Sequence, residues 1–246
     1  MRWRWLAWGL AFYGLALLVM APASFLDRGL DGASGGRLRL VEAQGRLWSG
    51  AGRLEMRAAS GRALVSQGLR WHWLPENLLR AKLGFELELE FAEQAFVLSM
   101  NLRQLEVTNA AINLPAAALA AAQPKLLPLQ LKGDVVLRIK SMEITPTGWT
   151  GNATLHWRHA GSMLTQVSPL GEYELQIAGE GTATRVDLVT LQGPLQLQGK
   201  GSLIHGGKLS FVATASIPQE FRTSLEPLMR LLAVERRDGI FEFQLG

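Results

Sequence analysis

Cysteine is absent from this chain of 246 residues, and charged residues form no long run of one sign. Without cysteine the chain has no disulfides, thiolate nucleophiles, zinc ribbons or iron–sulfur ligands. The net charge is only +4, and the longest basic run is Arg236 with Arg237. A nucleic-acid-binding surface needs clustered basic residues, so this distribution argues against nucleic acid as a partner.

Signatures of enzymes and cofactor sites are also scarce. The sequence has no P-loop and no dinucleotide-binding fingerprint. Of its four histidines, His156 and His159 form an H-x-x-H pair, but on a predicted strand residues three apart point to opposite faces. We expect this pair, with His72 and His205, at the surface or in turns. We therefore predict no enzyme, no cofactor, and no catalytic, cofactor-binding or metal-binding residues.

Three acidic residues, Glu86, Glu88 and Glu90, are the one carboxylate series that resembles a catalytic group. They alternate with apolar residues, so on a strand they share a face at intervals of about 7 Å. That arrangement is typical of the solvated face of an amphipathic strand. We interpret the series as structural.

The amino terminus carries the clearest targeting signal. Residues 5–26 contain no charged side chain, and Arg2 and Arg4 precede them. About 20 apolar residues suffice for a transmembrane helix, and basic flanks stay cytoplasmic. Tryptophans near this end favour the headgroup region.

Two interpretations of this leader remain open, a retained anchor and a cleavable signal peptide. Ala21, Pro22 and Ala23 imitate a cleavage site, whereas the apolar residues that follow favour an uncleaved anchor. Either one exports the rest of the chain. We predict an anchor at residues 1–26 in the bacterial inner membrane with a cytoplasmic amino terminus, a linker at 27–36, and a periplasmic β-rich domain at 37–246.

Period-two alternation dominates the remainder of the chain. Residues 85–91 alternate apolar and acidic side chains, and residues 129–132, 173–177 and 195–198 show similar patterns. Such strands bury one face and hydrate the other, as antiparallel sheets do. The predicted fold is mainly β: one amino-terminal transmembrane helix, then a long antiparallel sheet, twisted or curved.

Two segments break the alternation and predict helices. Residues 115–122 are alanine-rich behind a proline, and residues 218–232 place apolar residues at helical spacing. Each helix falls near the end of a similar set of strands. We therefore predict an internal repeat of two β-rich halves, each with a helix, at about residues 37–140 and 141–246. Chance alignment of common residues is the alternative.

Tryptophan–glycine pairs recur at corresponding places in the two predicted halves. An indole can close one end of a sheet, while a glycine lets another backbone approach. Two further tryptophans flank His72 and share one strand face. The candidate residues for structural or partner contact are Trp48, Gly50, Trp71, Trp73, Trp149 and Gly151.

Several stretches, taken in order, resemble the family of type II secretion system protein N. Residues 44–50 (QGRLWSG) resemble its G-x-L/V-W-x-G signature, and residues 168–175 (SPLGEYEL) resemble its S-P-L-G-x-Y-x-L stretch. Residues 199–207 and 231–239 are similar to its carboxyl-terminal pattern. The resemblance covers nearly the whole chain, and its weight lies in the order of the motifs.

This resemblance implies an accessory component of the type II, or general, secretion pathway. The implied partners are the inner-membrane platform proteins and the outer-membrane secretin, with residues 5–26 in the inner membrane. The family is also distantly similar to AsmA-like proteins, which implies the alternative of a lipid-binding or lipid-transfer module with an apolar groove. The expected function is support of protein export through protein–protein contacts in the periplasm.

Overall fold

Most of the chain forms one antiparallel β-sheet. A computed structural model describes residues 2–58, 61, 63–122, 124–204, 209–232, 234–237 and 240–245. The strands within them are β1 (Leu38–Arg46), β2 (Ser49–Arg57), β3 (Ala63–Leu74), β4 (Leu83–Leu89), β5 (Phe96–Met100), β6 (Leu105–Pro115), β7 (Leu131–Thr145), β8 (Gly148–Ser162), β9 (Gly171–Gly181), β10 (Ala183–Gln192), β11 (Gln196–Ile204), β12 (Leu209–Ser216), β13 (Val234–Arg237) and β14 (Ile240–Leu245).

Each strand pairs with its neighbour in sequence until the carboxyl terminus. The order is β1 through β12, then β14 and β13, in a sheet of 14 described strands. All neighbouring pairs are antiparallel. The predicted strands at residues 85–91 and 173–177 correspond to β4 and β9. The mainly β, antiparallel fold class is confirmed, because period-two patterning selects an extended chain with one buried face.

Helices occupy a small part of the described chain. They are α1 (Arg2–Val19), α2 (Ser24–Ser34), α3 (Ala117–Ala122) and α4 (Arg222–Leu232), with 3₁₀ helices at Pro75–Arg80, Pro124–Leu129 and Gln219–Phe221. The helices predicted at residues 115–122 and 218–232 are confirmed, but they begin later, at Ala117 and at Gln219, where a 3₁₀ turn leads into α4. The strand predicted at 129–132 is wrong at its start, because a 3₁₀ helix containing Pro128 extends to Leu129. Proline cannot donate to a strand ladder, and its fixed φ suits a 3₁₀ turn.

The apolar leader is shorter as a helix than its sequence predicted. After α1, Pro22 bridges Arg46 of β1, and the Leu47 amide donates to the Ala21 carbonyl. Proline lacks an amide hydrogen and disfavours helix at the preceding residue, so the helix stops here. The single helix predicted over residues 5–26 is wrong in extent. In the described part of the chain, no helix combines the length and apolar character needed to cross a membrane.

A helix also stands where the sequence predicted a linker at residues 27–36. α2 packs Leu26 and Leu30 against the apolar cluster of the first strands. Asp27 accepts two hydrogen bonds from Arg39 of β1, at 2.9 and 2.8 Å. The glycines indicated a flexible connection, but contacts with β1 outweigh their low helix propensity. The linker prediction is wrong.

The two ends of the sheet differ in what they carry. The end that we call proximal carries the 3₁₀ helix Pro75–Arg80 and the turns at residues 47–48, 101–104, 146–147 and 182. The opposite, distal end carries α3, α4 and the loop at residues 163–170. The last turn of α1 meets the proximal end, where the Trp48 indole N–H donates to the Leu18 carbonyl at 2.9 Å.

Two separate clusters of buried apolar side chains pack against the sheet. The first lies among β1 to β7 beneath α2, and the second joins α4 to the last strands. α3, which follows β6, contacts β2 and β3, so the first strands curl strongly. The boundary predicted between residues 140 and 141 falls inside β7, and β14 lies between β12 and β13. The internal repeat stays a prediction.

Candidate interaction surfaces

Four of the six predicted contact residues gather at the proximal end. The ring of Trp48, in the β1–β2 turn, lies 5.1 Å from the ring of Trp73 on β3, with the planes tilted by 52°. Trp71 shares the Trp73 face and is 4% exposed. Its indole nitrogen lies 3.2 Å from the carbonyl oxygens of Arg46 and Leu47. Trp71 is therefore a core residue, while Trp48 and Trp73 remain half-buried at the surface.

Gly50 makes room for this cluster. It lies directly opposite Trp71 across the β2–β3 ladder. A Cβ at position 50 would fall 2.6 Å from the Trp71 ring and 2.3 Å from the carbonyl oxygen of Gln44. Both distances are shorter than any real contact, so the indole and the β1 backbone can approach only a glycine.

The other predicted pair lies five strands further along the sheet, about 24 Å away by strand spacing. The indole N–H of Trp149 donates to Thr184 Oγ1 at 2.8 Å, and a Cβ on Gly179 would fall 2.4 Å from its ring. Gly151 adopts a φ of 129°, and a Cβ there would approach the Ser141 carbonyl oxygen to 2.3 Å. Trp149 and Gly151 therefore make their contacts within β7 to β10, away from the cluster around Trp48.

One edge of the sheet is covered by the chain itself. The outward amides of β1 donate to α2: Leu38 N to Ser34 Oγ and Leu40 N to Asp27 Oδ1, each at 2.9 Å. The hydrogen bonds from Arg39 hold the pKa of the Asp27 carboxyl below its usual range. An ionised carboxylate is the stronger acceptor, so Asp27 fastens α2 along β1. Unpaired strand edges invite pairing with other chains, and here that edge is blocked.

The opposite edge of the sheet is β13. This strand of four residues pairs with β14 through Val234, Glu235 and Arg237. Among the described strands it has a neighbour on one side only. Its other side is therefore the place where the described sheet can accept another strand.

A group of exposed leucines, absent from the residues predicted from the sequence, lies at the proximal end. We define the proximal patch as Leu78, Leu79, Leu83 and Leu102; Leu79 is 92% exposed and Leu102 fully exposed. They come from the 3₁₀ helix, the start of β4 and the β5–β6 turn. The adjacent leucines within Pro75–Arg80 were the available signal, because a short polar turn seldom needs two leucines.

The segment 168–175, singled out by resemblance, fastens two loops of the distal end. The Tyr173 hydroxyl lies 2.9 Å from the Leu195 carbonyl oxygen and 3.2 Å from that of Leu170. Burial raises the pKa of Tyr173, so the phenol stays protonated and donates. The Leu195 amide in turn donates to the Leu170 carbonyl at 3.0 Å. This motif holds the β8–β9 and β10–β11 connections together.

The histidines and glutamates do not assemble a reactive group in the described part of the chain. His156 Nε2 lies 3.5 Å from a Glu172 carboxylate oxygen, and both side chains are partly buried. Glu172 lies on β9 two residues from Glu174, the register partner of His156, so the two side chains are diagonal cross-strand neighbours. No three His, Asp or Glu side chains converge as metal ligands among the described residues. His205 lies outside them.

The three strand glutamates have structural contacts. Glu86, Glu88 and Glu90 are exposed on one side of β4 and just beyond it. Glu88 lies 3.4 Å from Arg70, and Glu90 accepts the Gly68 amide hydrogen at 2.8 Å. These cross-strand contacts agree with the solvated-face interpretation.

A groove of about 650 Å³ crosses the first strands, but its lining is unsuited to an acyl chain. Charged and polar residues make up about half of its lining, among them Glu42, Arg53, Arg70 and Glu93. Lipid-carrying sites are predominantly apolar. The groove therefore gives no support to the lipid-transfer alternative.

The chain matches a known protein family. The family model described as type II secretion system (T2SS), protein N, matches residues 36–244. The matched region contains β1 to β13 and nearly all of β14. No curated protein and no solved structure matches the chain.

Proposed function

Since the chain belongs to the family of type II secretion system protein N, we propose that it is a non-enzymatic accessory component supporting protein export across the outer membrane. The match over residues 36–244 is the observation that carries the proposal. Membership implies partners within that machinery. The proposed neighbours are the inner-membrane platform proteins and the outer-membrane secretin, reached through protein–protein contacts in the periplasm.

The amino-terminal helix supports a location at the bacterial inner membrane. α1 exposes apolar side chains around its circumference, including Trp5, Leu10 and Phe12. A helix that is apolar all round is stable in lipid or in protein contact and not in water. The uncharged stretch of residues 5–26 behind Arg2 and Arg4 is the export signal on which the periplasmic location of the sheet is proposed.

Reporter fusions test this orientation. A phosphatase that is active only in the periplasm, fused after the last strand, should be active in cells, and a cytoplasmic reporter at the same position should be silent. The same pair of reporters fused to a chain without α1 provides the control. Activity of the cytoplasmic reporter on the full chain would contradict the periplasmic location.

The terminal position of β13 in the described sheet favours strand addition as one mode of contact. β1 has its outward amides bonded to α2, whereas β13 has a described neighbour on one side only. An added strand forms main-chain hydrogen bonds with the edge strand, and contacts made by its alternate side chains give specificity. A partner from the secretion machinery would therefore join at β13.

In-cell photo-crosslinking locates the contact. Crosslinking residues placed at Glu235 and Arg236 of β13 should capture a component of the secretion machinery. The same residue placed at Glu42, exposed on β1, is the matched control on the covered edge. Trp71 is a poor position for such a probe, because its burial would direct the crosslink into the chain itself. Equal capture from both edges would contradict strand addition at β13.

Deletion tests the function itself. Removing the gene should lower the amount of secreted enzyme in the medium and leave the same enzyme in the periplasm. Complementation with the full chain should restore export. Unchanged export from the deletion strain would contradict the accessory role, whatever the location of the protein.

A further inference from the structure

The proximal patch is an apolar surface with no covering element in the described chain. Leu79 is 92% exposed and Leu102 fully exposed, with Leu78 and Leu83 between half and one third exposed. Beside them lies a shallow cavity of about 620 Å³ lined by Leu78, Leu83, Met100 and Leu102. Isolated exposed leucines are ordinary, but a contiguous group with a cavity marks a contact surface.

Basic side chains border this patch. Arg80 and Arg103 are exposed, and within the described part of the chain neither forms an ion pair. Lys82 lies 2.5 Å from Glu106, so that pair is neutral overall. Glu76 is the one carboxylate on the adjoining 3₁₀ helix. The rim therefore carries an excess of positive charge around an apolar centre.

The patch lies at the end of the sheet where α1 arrives. The Trp48 indole binds the Leu18 carbonyl of α1, and Trp48 precedes β2. The 3₁₀ helix follows the neighbouring strand β3, and the β5–β6 turn lies at the same end. By strand spacing the patch lies within about 25 Å of the end of α1. A membrane that holds α1 would thus be close to the patch.

We propose that the proximal patch rests on an anionic lipid bilayer, with Leu79 and Leu102 inserted among the headgroups and Arg80 and Arg103 paired with lipid phosphates. The charge excess and the adjacent apolar α1 select lipid as the occupant. Burial of a leucine side chain in the bilayer and attraction of a basic residue to an anionic surface are each favourable. This inference rests on the proposed membrane location of α1.

Site-specific labelling tests the contact, since the chain has no native cysteine. The full chain with Leu79→Cys or Leu102→Cys, carrying an environment-sensitive fluorophore, is reconstituted into vesicles of phosphatidylethanolamine and phosphatidylglycerol. Quencher-bearing lipids should quench both labels several-fold more than a label at Met163→Cys, which is 63% exposed in the distal loop at residues 163–170. Equal, weak quenching at all three positions would overturn the proposal.

Two further measurements test the insertion of α1 and the phosphate contacts of the patch separately. A label at Phe12→Cys reports whether α1 is in lipid, so strong quenching there with none at positions 79 and 102 rejects the patch and leaves the anchor intact. Replacing Arg80 and Arg103 by Gln should reduce quenching at position 79 towards its level in phosphatidylcholine vesicles. Arg70→Gln, the loss of a single charge on β3 outside the patch, should not. If quenching at position 79 were the same with and without phosphatidylglycerol, and the same after both arginines were replaced, the proposed phosphate contacts would be overturned.

Discussion

At the scale of single residues, Tyr173 shows how a sequence motif acts through one hydroxyl. Tyr173→Phe should lower the free energy of unfolding by about 1–2 kcal/mol, because buried carbonyl oxygens at the distal end lose their donor. Urea denaturation measures the change. Tyr13→Phe, at the chain's one other tyrosine, 62% exposed, is the control and should change little. Equal stability of the two variants would contradict a fastening role for the hydroxyl.

Gly50 makes a different residue-scale prediction, based on space. Gly50→Ala should destabilise the chain by about 1–3 kcal/mol, since its Cβ must displace either the Trp71 ring or the β1 backbone. Gly161→Ala is a matched strand substitution whose nearest contact would be an ordinary 3.5 Å. Thermal unfolding compares the two. A loss no greater at position 50 would show that the cluster relaxes around the methyl group.

At the scale of elements, α2 and β1 depend on one carboxylate. Asp27→Ala should speed amide hydrogen exchange in α2 and at Leu40, because the acceptor for the Leu40 amide is removed. Asp31→Ala removes a carboxylate of the same helix that only approaches Arg39, at 3.8 Å, and should have little effect. Unchanged protection in the Asp27 variant would contradict the role of this carboxylate.

The same contact makes docking of α2 depend on pH. The folded chain lowers the Asp27 pKa, so its stabilisation is complete above the usual carboxyl range and disappears as the pH falls through the lowered value. Exchange of the Leu40 amide, corrected for intrinsic rates, should therefore rise below about pH 4. In Asp27→Ala that component of the pH dependence should be absent.

At the scale of the whole molecule, two apolar clusters predict uneven stability. Leu225→Ala empties a fully buried position beside Leu228, Met229 and Phe241, which should cost about 2–5 kcal/mol. Faster hydrogen exchange should concentrate in β9 to β14 and spare β1 to β6, whose cluster is separate. Leu191→Ala, at a half-exposed position of β10, is the control. Uniform acceleration would show that the sheet unfolds as one unit.

Sequence patterning predicted the fold class well because alternation acts within a few residues. Strands such as β4 and helices such as α3 follow from local spacing and composition. The end of α1 before Pro22 had a local signal in the proline, but docking of α2 depended on hydrogen bonds with β1, which no local pattern contains. Local rules also misplaced Leu129, where two prolines favoured a 3₁₀ turn.

The candidate site was predictable in part. The pairing of Gly50 with Trp71 follows from strand register, but the register itself appears only in the folded sheet. The separation of Trp149 from Trp48 depends on five intervening strands. The proximal patch combines Leu79 of the 3₁₀ helix with Leu102 of the β5–β6 turn, so no single stretch of sequence could predict it.

Because α2 seals one border of the sheet and the short β13 forms the other, any lengthening of the sheet has a direction. A guest strand enters at the carboxyl-terminal border. If two copies paired through their β13 strands, the edges covered by α2 would lie on the outside of the dimer, and no further copy could add to the sheet. Such a subunit would join a larger assembly as a terminus, and fibre growth through it would be self-limiting.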